Sequence, residues 1–369
     1  MKKKILWFSW MILMCVKSFA AETAENSSDK ITEVAINKEW NVTENAAIDL
    51  KSSYHEVNIV YWNKNAVRVE AKVSTSAPLE NVEDELKGCF DAELKKSNDN
   101  FSLNTNFDAG RFNTLYRWLD RKIKGYKVTL YCKTTVYLPA ATKSLDINAR
   151  YCEVNQSAAS TIPTKIIGTE SHMNFDYTEH LKVNITYSDF KLKKCNDITI
   201  AAAYGKIILE DATIAEVFTS YTDVIIGNCQ TLKKCNTTYG DCKIGKVGNA
   251  KISTSYTDVT IDYLSNDATI SATYGDLTIK EIAKTSNAIN INSSYTDVKL
   301  SVNADNPMNF NASGAYSDID FDAGIFSTIS KNSNSHNVLQ FSANSKNATV
   351  SSLTITIKST YNNITLRKK

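Results

Sequence analysis

Eight tyrosines in the second half of the chain are each followed by a small residue. In seven of them an aspartate comes next. They are Tyr187-Ser-Asp, Tyr204-Gly-Lys, Tyr221-Thr-Asp, Tyr239-Gly-Asp, Tyr256-Thr-Asp, Tyr274-Gly-Asp, Tyr295-Thr-Asp and Tyr316-Ser-Asp, at spacings of 17, 17, 18, 17, 18, 21 and 21 residues. A column of phenols suits an aromatic stripe for sugars or a partner, and equally a purely structural ladder of corner tyrosines. The binding reading falls on Tyr221, Tyr239, Tyr256, Tyr274 and Tyr295, with Asp223, Asp258 and Asp297 beside them. The structural reading of the aspartates is turn chemistry, the carboxylate accepting local backbone N–H groups. Calcium would need several oxygen ligands at one site, and each turn offers one acid, so no metal is expected.

Other reactive side chains do not converge. His172 and His336 fall where degenerate units would carry their tyrosine, at opposite ends of the array, and His55 and His180 lack partners in the sequence. No arginine occurs from residue 151 to 366, and no nucleophile elbow, phosphate loop or metal motif is present. A polysaccharide-cleaving enzyme needs a clustered base with acids or a metal, so that reading is weak. The expectation is a protein without catalysis or cofactor. The segment from Arg111 to Lys124 is the densest basic-aromatic patch, with Arg111, Arg117, Trp118, Arg121 and Lys122. It reads as a solvated turn or short helix, or as a contact for an anionic glycan, lipid headgroup or partner.

The 42 basic and 40 acidic side chains leave a formal charge of +2, which argues against a nucleic-acid partner. Residues 1–20 read as a secretory signal: Lys2, Lys3 and Lys4, an apolar run from Ile5 to Val16, and Ser18-Phe19-Ala20 before the cut. The run is too short to span a bilayer. Its removal takes four lysines, giving +2 − 4 = −2. Residues 21–30 then form a flexible start, and no later stretch is apolar enough for a membrane helix. Seven cysteines remain after the cut, an odd number. Export permits disulfides, although the plain reading is buried small apolar residues.

The repeat dictates the elements. Residues alternate before each tyrosine (Ile270-Ser-Ala-Thr-Tyr274) and again after it (Leu277-Thr-Ile279). Period two means strands with one buried face. Units this short cannot bury that face alone, but stacked they form a continuous column. The expected fold is all-β: a parallel β-solenoid over 151–369, right-handed by the crossover rule. Small residues two before each tyrosine, such as Ala202, Thr237 and Ala272, place the ring on the apolar side. Tyr-Thr-Asp and Tyr-Gly-Asp units alternate, which suggests two units per coil of about 35 residues. Cys195 and Cys229, each eight residues after a tyrosine, would then occupy adjacent coils.

Residues 31–150 read as an N-terminal cap. Ser53-Tyr54-His-Glu-Val57 looks like an isolated repeat unit, and Leu79 to Leu94 fall at the spacing of one amphipathic helix with acids at its start. An open solenoid end would otherwise expose edge strands.

The run from Leu50 to Val67, the inserted helix, Thr135-Val-Tyr-Leu-Pro139 and the repeated Tyr-Gly-Asp and Tyr-Thr-Asp strands together resemble the adhesin-like family of bacterial β-helical envelope proteins, many of them domains of unknown function. The resemblance spans about residues 31–369. It implies a β-helix and an adhesin-like binding or structural role, in the periplasm or on the surface of a Gram-negative envelope. A glycan or an envelope protein would be the partner, and a periplasmic sensor or regulatory partner is the alternative. The family carries no catalytic residues to transfer. The seven cysteines and Lys206, where aspartate usually follows Tyr-Gly, depart from its pattern.

Overall fold

A computed structural model describes residues 32–75, 82–122, 130–303, 305–331 and 338–369. The expected signal segment, the flexible start, Leu79 and His336 lie outside them. The described chain is nearly all strand, wound into one continuous, mostly parallel sheet. It is the expected β-solenoid.

The chain runs β1 (Thr32–Asn41), β2 (Ala47–Ser53), β3 (Glu56–Trp62), β4 (Ala66–Thr75), α1 (Glu83–Gly88), β5 (Phe90–Ser97), β6 (Asn100–Phe107), α2 (Ala109–Lys122), β7 (Leu130–Pro139), β8 (Ser144–Arg150) and β9 (Glu153–Gln156). The regular array follows as β10 (Thr164–Thr169), β11 (His172–Thr186), β12 (Asp189–Leu264), β13 (Ala268–Ile279) and β14 (Ala288–Val302). β15 (Met308–Phe321), β16 (Thr328–Lys331), β17 (Val338–Asn344) and β18 (Leu353–Lys368) close it.

One unit makes one coil, not two. Ile166 lies beside Val183 and Val183 beside Ile200, a step of 17 residues, in parallel register. The alternation of Thr and Gly after the tyrosine has a different cause. A Cβ on Gly205, Gly240 or Gly275 would lie 1.9, 2.5 or 2.4 Å from the carbonyl oxygen of Ser188, Thr222 or Thr257 in the preceding coil. Each glycine coil thus presses on a hydroxyl-bearing coil. There the hydroxyl does work of its own. Ser188, Thr222, Thr257 and Thr296 each donate to the carbonyl two residues back, at 2.9, 2.9, 3.0 and 3.0 Å, bracing the corner. Cys195 and Cys229 consequently lie two coils apart, with Ala212 at the position between them.

The core column is aliphatic. In the Tyr221 coil, Val217, Val224 and Ile226 are buried, and the coils above and below repeat them. The tyrosine shifts the parity: buried positions lie four and two before it, then one and three after it. The backbone explains the shift. Every tyrosine of the repeat adopts φ between 50° and 58°, the left-handed region. That bend turns the ring outward, so the expected inward ring on the aliphatic side is corrected. A non-glycine residue held there costs about 1–2 kcal/mol, which ring stacking must offset.

Both ends depart from sequential order. The Tyr54 unit is not isolated: β2 and β3 stack in parallel on β8 and β9, so residues 63–143 form an excursion. That excursion places β6 and β7 over β2 and β3 and adds β4 and β5 as antiparallel partners, while β1, which precedes it, pairs antiparallel with β4. The helix expected from Leu79 to Leu94 ends at Gly88. Phe90, Ala92 and Leu94 instead alternate along β5 against β6, where pairing satisfies their backbone groups. The basic-aromatic turn is a 14-residue helix, α2, whose first N–H groups, those of Gly110 and Arg111, donate to Asp108 Oδ1 at 2.9 Å. At the far end β18, last in the chain, lies between β14 and β15 rather than beyond them. β17 pairs antiparallel with β15, and β16 with β17, covering half of the terminal coil.

Candidate functional site: the tyrosine ladder and its groove

Tyr187, Tyr204, Tyr221, Tyr239, Tyr256, Tyr274, Tyr295, Tyr361 and Tyr316 stack in that order. Neighbouring ring centroids lie 4.6–5.0 Å apart and ring planes within 10°. This distance is the strand spacing of a sheet. A second stack, Tyr54 on Tyr151 at 4.8 Å, lies beyond it. Glu170 separates the two, in the same left-handed conformation, and accepts a 3.0 Å hydrogen bond from the Tyr151 hydroxyl. Burial, then the Glu170 carboxylate, raises the pKa of that phenol. Glu170, not His172, therefore holds the tyrosine position of its unit. His172 falls at the aspartate position of that same unit, its Nδ1 3.2 Å from Asp189 in the next coil.

The stack decides what the ladder can do. Sugar platforms need free ring faces, and within the ladder each face lies against the next ring. The rings remain 40–58 % exposed, through their edges and hydroxyls. Tyr221, Tyr239, Tyr256, Tyr274 and Tyr295 thus present a row of hydrogen-bonding groups rather than a row of flat platforms.

The aspartates are bound between coils. Asp223 Oδ1 accepts the backbone N–H of Asp241 at 3.0 Å, Asp258 that of Asp276 at 2.8 Å, and Asp297 that of Asn363 at 2.8 Å. The expected local turn bond is corrected to a bond reaching the next coil. Each Tyr-Thr-Asp coil supplies the carboxylate and its neighbour the donor. Neighbouring cations offset part of the charge: Lys243 is 3.1 Å from Asp241, and Lys299 is 3.3 Å from Asp276. Among the described residues no group of three or more His, Cys, Asp or Glu is placed to hold a metal.

Beside the ladder lie two shallow grooves of mixed polar and apolar lining, which the sequence did not single out. One stretch of about 450 Å³ is lined by Ser271, Thr273, Asn292, Ser294, Lys358 and Thr360. A second, of about 370 Å³, is lined by Asn184, Thr186, Ala203, Phe218, Ser220 and Asn236. These residues stand one and three before the tyrosines of the coils that form the two grooves. The signal was present: the residue before each ladder tyrosine is Ser, Thr or Ala throughout.

The basic-aromatic patch lies on α2, within the excursion between β3 and β8, apart from the tyrosine coils in sequence and element. The Arg111 guanidinium sits against Gly88 of α1, within 2.5 Å of where a Cβ would stand. Arg117 and Trp118 are exposed on α2, while Arg121 and Lys122 form its last residues. All seven described cysteines are reduced and buried. Burial pushes the thiols of Cys132 and Cys195 up to about 12 and those of Cys152 and Cys229 up to about 11, so they are inert at neutral pH.

The parallel coils, the capped excursion and the corner ladder define a class, the β-solenoid built on a short tyrosine-marked repeat. The family model for Toastrack DUF4097 matches residues 45–367, and the chain belongs to that family. None of the curated proteins compared is similar enough to count as a relative. Among solved structures, a candidate cell adhesion protein from Clostridium sporogenes aligns at 9% identity and TM-score 0.21, covering 92% of this chain and 100% of that one. A candidate adhesin from Bacteroides fragilis aligns at 11% identity and TM-score 0.25, covering 91% and 97%. No helix among the described residues is long and apolar enough to cross a membrane.

Proposed function

We propose that this chain is an exported, non-catalytic protein of the bacterial cell envelope that binds an extended partner along its coils, as an adhesin-like module. The observation that carries this reading is the pair of shallow grooves, lined by Ser, Thr and Asn among small apolar residues and flanked by a regular row of phenol hydroxyls. Such a surface offers many directional hydrogen bonds and little charge, which suits a glycan chain gripped by its hydroxyls. The basic leader with its short apolar run supports export. Among the described histidines, His55 is buried at the Tyr54 corner between β2 and β3, while His172, paired to Asp189, and His180 lie eight residues apart on β11. That dispersal supports a binding role over acid–base chemistry.

Protease shaving or antibody labelling of intact cells, with lysed cells as control, tests location. Labelling of intact cells is expected. Protection until the outer membrane is opened would sink the adhesin reading. Glycan screens with the wild type and with Ser220→Arg and Ser271→Arg, which fill the two groove stretches, test the surface. Binding lost in both variants while the fold persists is expected, and binding indifferent to both would exclude the groove.

A further inference from the structure

Seven of the described cysteines are buried, but only two of them face one another. Cys235 stands four residues before Tyr239 and Cys242 three after it, both fully buried. Their Sγ atoms are 3.9 Å apart, across the core of a single coil. The same two positions carry aliphatic pairs in the neighbouring coils: Val217 with Val224 on one side and Ile252 with Val259 on the other. Further along they carry Ile270 with Leu277 and Ile291 with Val298. Packing alone asks for a branched aliphatic at each of these sites. A thiol at one would be a small core residue. Thiols at both, in the same coil, place sulfur opposite sulfur.

We propose that Cys235 and Cys242 are an oxidation site that closes as a disulfide across the Tyr239 corner. A disulfide bond is about 2.05 Å long, so the sulfurs must approach by roughly 1.9 Å. Two cysteines fill less volume than the Val and Ile pairs around them, which leaves room for χ1 of both to turn. The resulting ring spans residues 235–242 and contains the two positions of that coil with positive φ, Tyr239 (58°) and Gly240 (148°). The bond therefore staples the bend that sets the parity of the coil. The oxidant is a small disulfide such as oxidised glutathione. One cysteine attacks it as thiolate, releasing a reduced thiol and leaving a mixed disulfide. The second cysteine displaces the other half, so two electrons and two protons pass to the reagent, which leaves as two thiols. Both sulfurs are shut away in the finished coil, so exchange belongs to the folding chain, before this coil docks on its neighbours.

The test is refolding from denaturant in a buffer of oxidised and reduced glutathione, against the same refolding in excess reductant. The expected oxidised product is lighter by two hydrogens. In denaturant it exposes two fewer thiols to an alkylating reagent, and digestion yields a cross-linked peptide joining Cys235 to Cys242. Its denaturant midpoint lies above that of the reduced form. Cys235→Val with Cys242→Val restores the aliphatic pair and controls for folding. This variant should fold in both buffers and show no mass difference between them. If wild-type Cys235 and Cys242 both remain alkylatable after oxidative refolding, the inference fails. It fails equally if they emerge as separate glutathione adducts or joined to other cysteines.

Discussion

The coils from Tyr187 to Tyr295 and the two ends obey different rules of adjacency. In the middle, the next unit in sequence is the next coil in space, and every ring stacks on its successor. At the ends, neighbours in space are remote in sequence. Tyr54 stacks on Tyr151, and Tyr361 enters between Tyr295 and Tyr316. A regular coil presents the same unfinished edges whatever its position, so repetition cannot terminate itself. Ending the array takes antiparallel strands and segments brought from elsewhere, and these carry the irregular chemistry of the molecule.

The sharpest way to break the comparison is to remove β18. Its Leu353, Ile355, Ile357, Ile364 and Leu366 are buried between β14 and β15, an apolar burial worth on the order of 10 kcal/mol. A chain stopped after Ser352 should lose amide protection throughout Met308–Phe321 while β12 keeps its own. Protection surviving in Met308–Phe321 would show that the terminal coil docks without the inserted strand.

Acid sharpens the contrast at the other end. His55 is buried at the Tyr54 corner, its Nδ1 2.8 Å from the Ser53 carbonyl and its Nε2 without a partner. Burial lowers its pKa from 6.5 to about 4. The unfolded chain therefore binds the extra proton between these values and the folded chain does not. This contribution to stability is complete above about pH 6.5, falls as the pH drops, and stops falling below about 4. The loss amounts to ~3 kcal/mol. His55→Phe should flatten that part of the stability–pH curve. An unchanged slope in the variant would remove His55 from the account.

The smallest effect separates the two kinds of coil within the regular region. Asp258→Ala orphans the N–H of Asp276 and should cost about 1 kcal/mol. Asp276→Ala breaks only an exposed pair with Lys299 and should cost under about 0.5 kcal/mol. Equal denaturant midpoints for the two variants would deny that Thr and Gly coils divide the labour.

Much of this was legible in the residues. The tyrosine spacing and the period-two alternation give strands, stacking and the parallel solenoid, because a sheet with one buried face has few other outlets. Two points were hidden. A tyrosine with left-handed φ leaves no mark in composition, so alternation carried straight through it puts the ring indoors. The change of parity between Ile270, Ala272 and Leu277, Ile279 is the trace it leaves. The insertion of β18 was hidden because Tyr361 looks like any next unit, and nothing local says which edge it will meet. The candidate site was half visible. The ladder could be seen, while the groove beside it falls on small polar residues that resemble ordinary solvent-facing strand positions.

The glycine that rests on the carbonyl of the preceding coil has a bearing on how such a chain can lengthen. Between Ser188 and Thr296 the residue after each tyrosine alternates strictly between a hydroxyl residue and glycine. Copying a single coil into that stretch would set two glycines, or two threonines, in successive coils and break the alternation. Copying two coils together preserves every contact. The piece of gene that can be duplicated without damage is therefore twice the piece that forms one turn of the solenoid.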